Sequence, residues 1–214
     1  MSERLVEEQI AYYDQRAAEY DATSMTCDDP QYEYVEQIEK ALADFRPTGK
    51  VLEFACGTGN WTSRLQPFAD EVLALDSSPQ MLEFARTKVS AGNVRFEQAD
   101  LFAWEPPDAY DVVFFSFWIS HVPQERFDEF WELVHCCLTR KGRIFFIDER
   151  PHEHWHEEYI DEQLVQRTLQ DGSRHRVVKK FWAEGELEQR LRGLGWSVSV
   201  TGTGPFFWAE GSRA

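Results

Sequence analysis

The stretch VLEFACGTGNW, residues 51–61, decides the fold of this chain. It begins as an apolar run and ends in a turn that contains Gly57 and Gly59. Glycine lacks a Cβ and tolerates positive φ, so such a turn lets the backbone approach a bound ligand closely. The stretch is therefore typical of a strand that runs into a nucleotide-binding turn, and several classes of enzyme use turns of this kind.

The segments that follow this stretch alternate between strand and helix patterns. The runs VVFF (112–115) and IFFI (144–147) are continuously apolar, as expected for strands that are covered on both faces. Regular alternation of this kind predicts right-handed crossovers between parallel strands. We therefore expect an α/β fold, Rossmann-like and doubly wound. It has a mostly parallel seven-stranded sheet, an N-terminal helical extension and an inserted β-hairpin.

The chain is expected to form one domain of 214 residues. Helical spacing in the first segment places Ile10, Tyr13, Ala17 and Tyr20 near one face of a helix. Residues 163–181 alternate around the turn QDGS and predict the hairpin. The predicted parts are a helical cap (1–46), a cofactor-binding core (47–150), a substrate-side insertion with the hairpin (151–182), and a C-terminal helix with closing strands (183–214).

The charge of the chain is strongly negative and uneven. A formal net charge of −16 argues against nucleic acid or an anionic membrane as a partner. No stretch of 18 apolar residues is present, so no membrane span is expected. Residues 163–182 nevertheless sum to +4, five cations minus one anion. The cations are Arg167, Arg174, Arg176, Lys179 and Lys180, and the anion is Asp171.

The cysteines and the N-terminus indicate a cytoplasmic protein. The four cysteines show no C-x-x-C spacing and read as reduced thiols. The first ten residues, MSERLVEEQI, are polar and acidic, unlike a secretory signal. We expect a monomer or a homodimer.

The residues around the turn favour one nucleotide. No G-K-[ST] follows, so a P-loop is excluded, and the third glycine of the dinucleotide fingerprint is missing after Gly59. Glu53 would repel a pyrophosphate but would suit a cationic amino acid ligand. Asp76 ends the next strand, where a carboxylate accepts ribose hydroxyls in either cofactor type. These features favour S-adenosylmethionine (SAM) over NAD.

The motifs at this point resemble those of the class I SAM-dependent methyltransferases. They are EFACGTG, LALDSSPQML, QADLFAW and the strand FFSFW, in that order. The resemblance implies SAM as the cofactor and S-adenosylhomocysteine (SAH) as its product, and Ala55 stands where many members have glycine. Together with two tyrosines of the first helix, the expected cofactor-binding residues are Tyr13, Tyr20, Glu53, Ala55, Gly57, Gly59, Trp61, Asp76, Ser77, Met81, Asp100, Leu101, Ser116 and Phe117.

A nearer resemblance is to small O-methyltransferases of antibiotic pathways, phosphonate O-methyltransferases among them. The segments YYDQRAAEYDAT, VFFSFWISHVP, ERFDEFWE and RTLQDGSRHRVVK carry it, and it implies that the hairpin lines the pocket. The basic segment then predicts a small anionic acceptor, because cations position a phosphonate or carboxylate oxygen through charge-assisted hydrogen bonds. The expected acceptor-binding residues are Arg16, Trp118, His121, Arg167, Arg176 and Lys179, with His121 as the candidate catalytic base.

Other functions stay open at this stage. The many carboxylates would also suit an N-methyltransferase that acts on an amine or heterocycle, with His121 as base. A non-catalytic SAM-binding regulatory module and an NAD oxidoreductase are further alternatives. The alternating His152, His154 and His156 resemble a zinc site, but no strand is predicted there and methyl transfer needs no metal. We therefore expect no metal.

Overall fold

The computed structural model describes residues 3–23, 31–153 and 155–214. Its helices are α1 (Glu3–Thr23), α2 (Tyr32–Phe45), α3 (Thr62–Leu65), α4 (Pro79–Lys88), α5 (Phe127–Cys137) and α6 (Glu184–Gly193). Its strands are β1 (Lys50–Phe54), β2 (Glu71–Asp76), β3 (Val94–Gln98), β4 (Tyr110–Ser116), β5 (Leu138–Glu149), β6 (Leu164–Thr168), β7 (Arg174–Val178), β8 (Trp196–Thr203) and β9 (Phe206–Arg213).

Seven strands form one sheet in the order β3-β2-β1-β4-β5-β9-β8. The first five are mutually parallel, and β9 runs antiparallel to both β5 and β8. This confirms the predicted α/β fold with a mostly parallel seven-stranded sheet. The two closing strands expected after residue 195 are β8 and β9, and β9 lies between β5 and β8.

Helices cover both faces of the sheet. On one face α2 buries Val35, Ile38 and Leu42 against the strands, and on the other α5 and α6 bury a large aromatic core. Successive residues of β4 alternate between the two layers, so Val112 and Val113 are both fully buried. Burial on both sides is the physical reason that the central strands read as continuous apolar runs.

The predicted hairpin is also present. Strands β6 and β7 pair antiparallel as a separate two-stranded sheet, with Arg167 opposite His175. The hairpin packs on α1 through a small cluster that contains Tyr12, Val165 and Val177. Helix α1 therefore lies between the hairpin and the rest of the domain. This packing holds the basic segment near the edge of the sheet where the parallel strands end.

Most of the α1 face that helical spacing predicted does not pack in the core but borders a cavity. Ala17 is buried, but Ile10, Tyr13 and Tyr20 are only half-buried, and these three line a cavity. No helix within the described ranges is long and apolar enough to cross a membrane.

Candidate active site

A cavity of about 760 Å³ lies at the carboxyl edge of the parallel strands. Asp76, Ser116 and Glu149, the last residues of β2, β4 and β5, all line it. Phe206 begins the antiparallel β9 opposite Glu149 and lines it too. Open α/β sheets bind ligands at this edge, so the topology alone places the cavity where a binding site is expected.

The glycine turn forms one wall of the cavity. Ala55 and Gly57 line it, with φ of +50° and +54°. A Cβ added at Gly57 would meet no atom within 4 Å, so the backbone there is open to a ligand. Gly59 has another role, because its Cβ would come within 3.2 Å of Ala85 on α4. Gly59 packs the turn against the helix and does not line the cavity.

Asp76 holds a carboxyl group at the edge of the turn. One oxygen accepts a hydrogen bond from the Gly57 amide at 2.8 Å and the other accepts one from the Ser78 amide at 2.9 Å. Burial raises the pKa of Asp76 to about 6, against the opposing effect of these amides. At neutral pH the group is therefore a fixed carboxylate that lines the cavity and can accept hydrogen bonds from a diol.

Glu53 lies behind the turn and does not line the cavity. Its Oε2 accepts a hydrogen bond from the Thr62 hydroxyl at 2.6 Å. No residue in the described part of the chain gives its Oε1 a partner. Burial raises the pKa of Glu53 to about 8, so the group is mostly protonated at neutral pH. Its charge therefore does not act on the cavity in the way that the sequence argument assumed.

The other residues expected to bind the cofactor lie around the same space. Met81 and Leu101 are buried and supply apolar surface to the cavity that Asp76 also lines. Ser78 fixes the start of α4 by accepting a hydrogen bond from the Met81 amide at 3.0 Å. The remaining predicted residues that line the cavity are Tyr13, Tyr20, Trp61, Ser77, Asp100, Ser116 and Phe117.

His121 occupies a buried position between α1 and β7. Its Nδ1 lies 2.6 Å from the Val178 carbonyl oxygen, which can only accept, so Nδ1 carries the proton. Its Nε2 then accepts from the Tyr13 hydroxyl at 2.8 Å. Burial, with the nearby charges of Lys179 and Arg167, holds the pKa of His121 well below its usual range. The imidazole is therefore neutral, with one tautomer fixed.

Two cations of the hairpin segment, Arg167 and Lys179, line the cavity beside His121. Arg167 forms an ion pair with Glu157, and Lys179, which is 1% exposed, forms one with Glu149. Lys179 also donates to the Ser120 hydroxyl at 3.1 Å. Both carboxylates line the cavity as well, so this end carries cations and anions side by side.

Arg176 lies elsewhere. Its guanidinium donates to Glu8 on α1 at 2.7 Å, its side chain is 46% exposed, and it is not among the residues that line the cavity. Arg176 lies two residues before the end of β7, whereas Lys179 follows the last residue of that strand. Arg16 and Trp118, also predicted for the acceptor, do line the cavity, and the Arg16 guanidinium lies 4.9 Å from the Tyr20 ring centroid.

Sequence reasoning missed several residues of the cavity. Glu149 ends β5 at the carboxyl edge, so the strand pattern could have found it. Glu157 and Trp155 lie on an irregular segment and Phe206 starts an antiparallel strand, and none of these positions carries a sequence signal. Asp21 binds the Thr58 hydroxyl at 2.6 Å and the Lys88 ammonium at 2.7 Å. Those contacts tie α1 to the glycine turn and to the end of α4.

A metal site receives no support from the described residues. Among residues 3–23, 31–153 and 155–214, no three His, Cys, Asp or Glu side chains are grouped to hold an ion. His154, one of the three alternating histidines, lies outside the described residues.

Sequence comparisons relate the chain to methyltransferases. A family profile described as a methyltransferase domain matches residues 51–142. An uncharacterised methyltransferase of Exiguobacterium sibiricum is 30% identical over 203 residues, covering 90% of each chain. A trans-aconitate 2-methyltransferase of Sinorhizobium medicae is 42% identical over 72 residues, 33% of this chain and 27% of the relative.

Comparison with solved structures gives a similar chain over the full length. The complex of DhpI with SAM and HEP has a TM-score of 0.88 and 40% sequence identity, with 100% of each chain covered. The complex of DhpI with SAH has a TM-score of 0.86 at the same identity and covers 100% of this chain and 99% of DhpI. The resemblance therefore includes the hairpin and the N-terminal helices as well as the sheet.

Proposed function

This chain belongs to the SAM-dependent methyltransferases, and from that premise we propose that it methylates an oxygen of a small anionic metabolite, a phosphonate or a carboxylate. One observation carries the proposal: Arg167 and Lys179 line the same cavity as the glycine turn and Asp76. Two relatives support it. DhpI forms a complex with SAM and HEP, and another relative bears the name of a trans-aconitate methyltransferase.

The glycine-turn half of the cavity fits SAM. Asp76 would accept the ribose hydroxyls, Met81 and Leu101 would pack on the adenine, and Asp100 would meet its amino group. The open space over Gly57 is consistent with a ligand there. SAM supplies a methyl group that its positive sulfur already activates.

The hairpin half of the cavity would hold the acceptor. An oxyanion needs no general base, so the task left to the protein is to align it. Arg167 offers a planar set of N–H donors that matches a carboxylate or phosphonate, and Lys179 offers a point charge. Their ion pairs with Glu157 and Glu149 hold the two cations in place at the cavity wall.

We assign His121 a positioning role in place of the base predicted from the sequence. A proton taken up by its Nε2 would create a buried cation beside Lys179 and Arg167, which its lowered pKa opposes. The neutral ring instead accepts a hydrogen bond from the Tyr13 hydroxyl at Nε2 and donates one from Nδ1 to the Val178 carbonyl. It thereby fixes the Tyr13 hydroxyl oxygen and the end of β7 relative to each other.

N-methylation is the second candidate, because Glu149 and Glu157 line the acceptor half as well. An ammonium group could pair with either carboxylate, although it would have to lose a proton before it could accept a methyl group. The planar donor set of Arg167 in the same half matches an oxyanion, and this favours the anion.

Release of SAH in the presence of matched acceptors tests the proposal. Wild-type protein should turn over small phosphonates or carboxylates and leave amines of equal size unchanged. Turnover of amines alone would overturn it in favour of N-methylation. Tight SAM binding without turnover of any acceptor would favour the regulatory module.

A further inference from the structure

Beyond the two cations, the acceptor half of the cavity has an aromatic wall. Phe117, Trp155 and Phe206 line it and contact one another, with ring centroids 5.9 Å apart for Phe117 and Phe206 and 5.7 Å apart for Trp155 and Phe206. Val35 and Tyr32 of α2 belong to the same cluster and line the cavity too. We call these five residues the aromatic lobe.

The lobe differs from the core into which it merges. Phe114 and Phe145, in the same cluster, are fully buried, whereas Phe117, Trp155 and Tyr32 are only half-buried. Because these three also line the cavity, apolar surface faces that space. Apolar surface of this kind is what a ligand covers favourably, and small-molecule sites are mostly lined in this way.

Backbone strain at Phe117 also indicates a ligand site. Its φ is +51°, which is costly for a bulky side chain, and its amide donates to the Ile147 carbonyl at 2.8 Å. Strained residues persist where the surrounding structure holds them, often at ligand sites. Here the strain accompanies a ring that faces both Phe206 and the cavity.

The lobe is continuous with the proposed anion site. Lys179 Nζ lies 4.9 Å from the Phe181 ring centroid, and Phe181 stacks on Trp155 with centroids 6.1 Å apart. Glu149, the partner of Lys179, is directly opposite Phe206 in the sheet. The lobe and the two cations line one cavity of about 760 Å³, in which an apolar group can lie beside the anionic group.

We propose that the aromatic lobe is a specificity subsite for an aromatic or bulky apolar substituent on the acceptor. The anionic group of this acceptor rests on the proposed function, whereas the apolar subsite does not. The acceptor is then an acid with its charged group at Arg167 and Lys179 and its apolar group against Trp155, Phe117 and Phe206.

Calorimetric titration of the SAH-loaded protein tests the lobe without relying on turnover. The ligands are two matched pairs, methylphosphonate with benzylphosphonate and methylamine with benzylamine. Benzylphosphonate should bind at least about tenfold more tightly than methylphosphonate, as expected when an apolar group enters a fitted pocket. Trp155→Ala and Phe117→Ala should reduce this ratio towards one, and Trp155→Phe should keep most of it.

The control variant is Phe84→Ala, since Phe84 is 43% exposed on α4 and is not among the lobe residues. It should leave the ratio unchanged. Because Phe117 is also among the residues expected to bind the cofactor, a cooperative thermal unfolding transition, and not SAH affinity, shows that each variant is folded. An aromatic advantage below threefold in both pairs, or one that survives both alanine variants, overturns the lobe.

The two ligand pairs separate the lobe from the proposed function. An advantage confined to the amines would keep the lobe and overturn the anionic acceptor. Phosphonate binding without any aromatic advantage would keep the anionic acceptor and overturn the lobe. No binding by any of the four ligands would contradict both proposals.

Discussion

Ionised Asp76 accepts hydrogen bonds from a ribose more strongly than the protonated group does, because charge-assisted hydrogen bonds are the stronger kind. Burial raises its pKa to about 6. Below that pH the protonated form dominates, so SAM affinity should fall by about tenfold per pH unit and should be level between pH 7 and 8. Calorimetric titration with SAM from pH 5 to 8 measures this. Asp76→Asn should bind weakly at every pH, and a flat profile for the wild-type protein would contradict the role of Asp76.

Ala55 adopts a left-handed backbone with φ of +50°. An L-residue in this region is strained by about 1 kcal/mol relative to glycine. Ala55→Gly should therefore raise the free energy of unfolding by up to about 1 kcal/mol, measured by urea denaturation. Ala74→Gly, at a buried position of β2, should lower it, and a loss of stability in both variants would contradict the strain.

Glu53 shows why a correct cofactor can follow from an incomplete argument. The sequence placed it beside the ligand as a charge that would repel a pyrophosphate. The structure places it under the turn, bonded to Thr62 and with a pKa raised to about 8 by burial. The missing third glycine remains a valid reason, because it concerns backbone approach. Side-chain orientation at a strand end could not be deduced from the sequence.

At the scale of elements, the hairpin offers a matched pair of arginines. Arg167 lines the cavity and Arg176 pairs with Glu8 outside it. Arg167→Ala should raise the acceptor KM at least tenfold with SAM affinity unchanged, because one anion contact is lost. Arg176→Ala should change the acceptor KM less than twofold, since an exposed ion pair contributes little. Steady-state kinetics measures both KM values. Equal increases in the two variants would mean that the hairpin only supports the fold.

Helix α1 and β7 are joined by a buried glutamine. Gln9 Oε1 accepts from the Val178 amide at 3.0 Å, and its Nε2 donates to the His121 carbonyl at 3.4 Å. Gln9→Leu would leave these buried groups without a partner, at a cost of about 1–3 kcal/mol each. Hydrogen exchange should accelerate in α1 and β7 and remain slow in β1 and β4. Uniform acceleration, or none, would show that Gln9 does not join these elements.

At the scale of the whole molecule, the order of elements was predictable and the shape of the acceptor site was not. Continuous apolar runs and the glycine turn specify a doubly wound sheet, and the sheet determines the edge at which ligands bind. The acceptor half depends on long-range contacts, such as the pairing of Glu149 with Lys179 and of Phe206 with Glu149 in β5. Those pairings join residues far apart in sequence, and no local pattern encodes them.

The identity of the methylated atom tests the central claim most directly. The protein would be supplied with SAM carrying a ¹³C-labelled methyl group and a mixture of phosphonates, carboxylates and amines, and the labelled product would be assigned by ¹³C–¹H correlation NMR. We expect the label on oxygen, as a phosphonate or carboxylate methyl ester, with ³¹P coupling in the first case. Label on nitrogen, with the acids unmodified, would contradict the account.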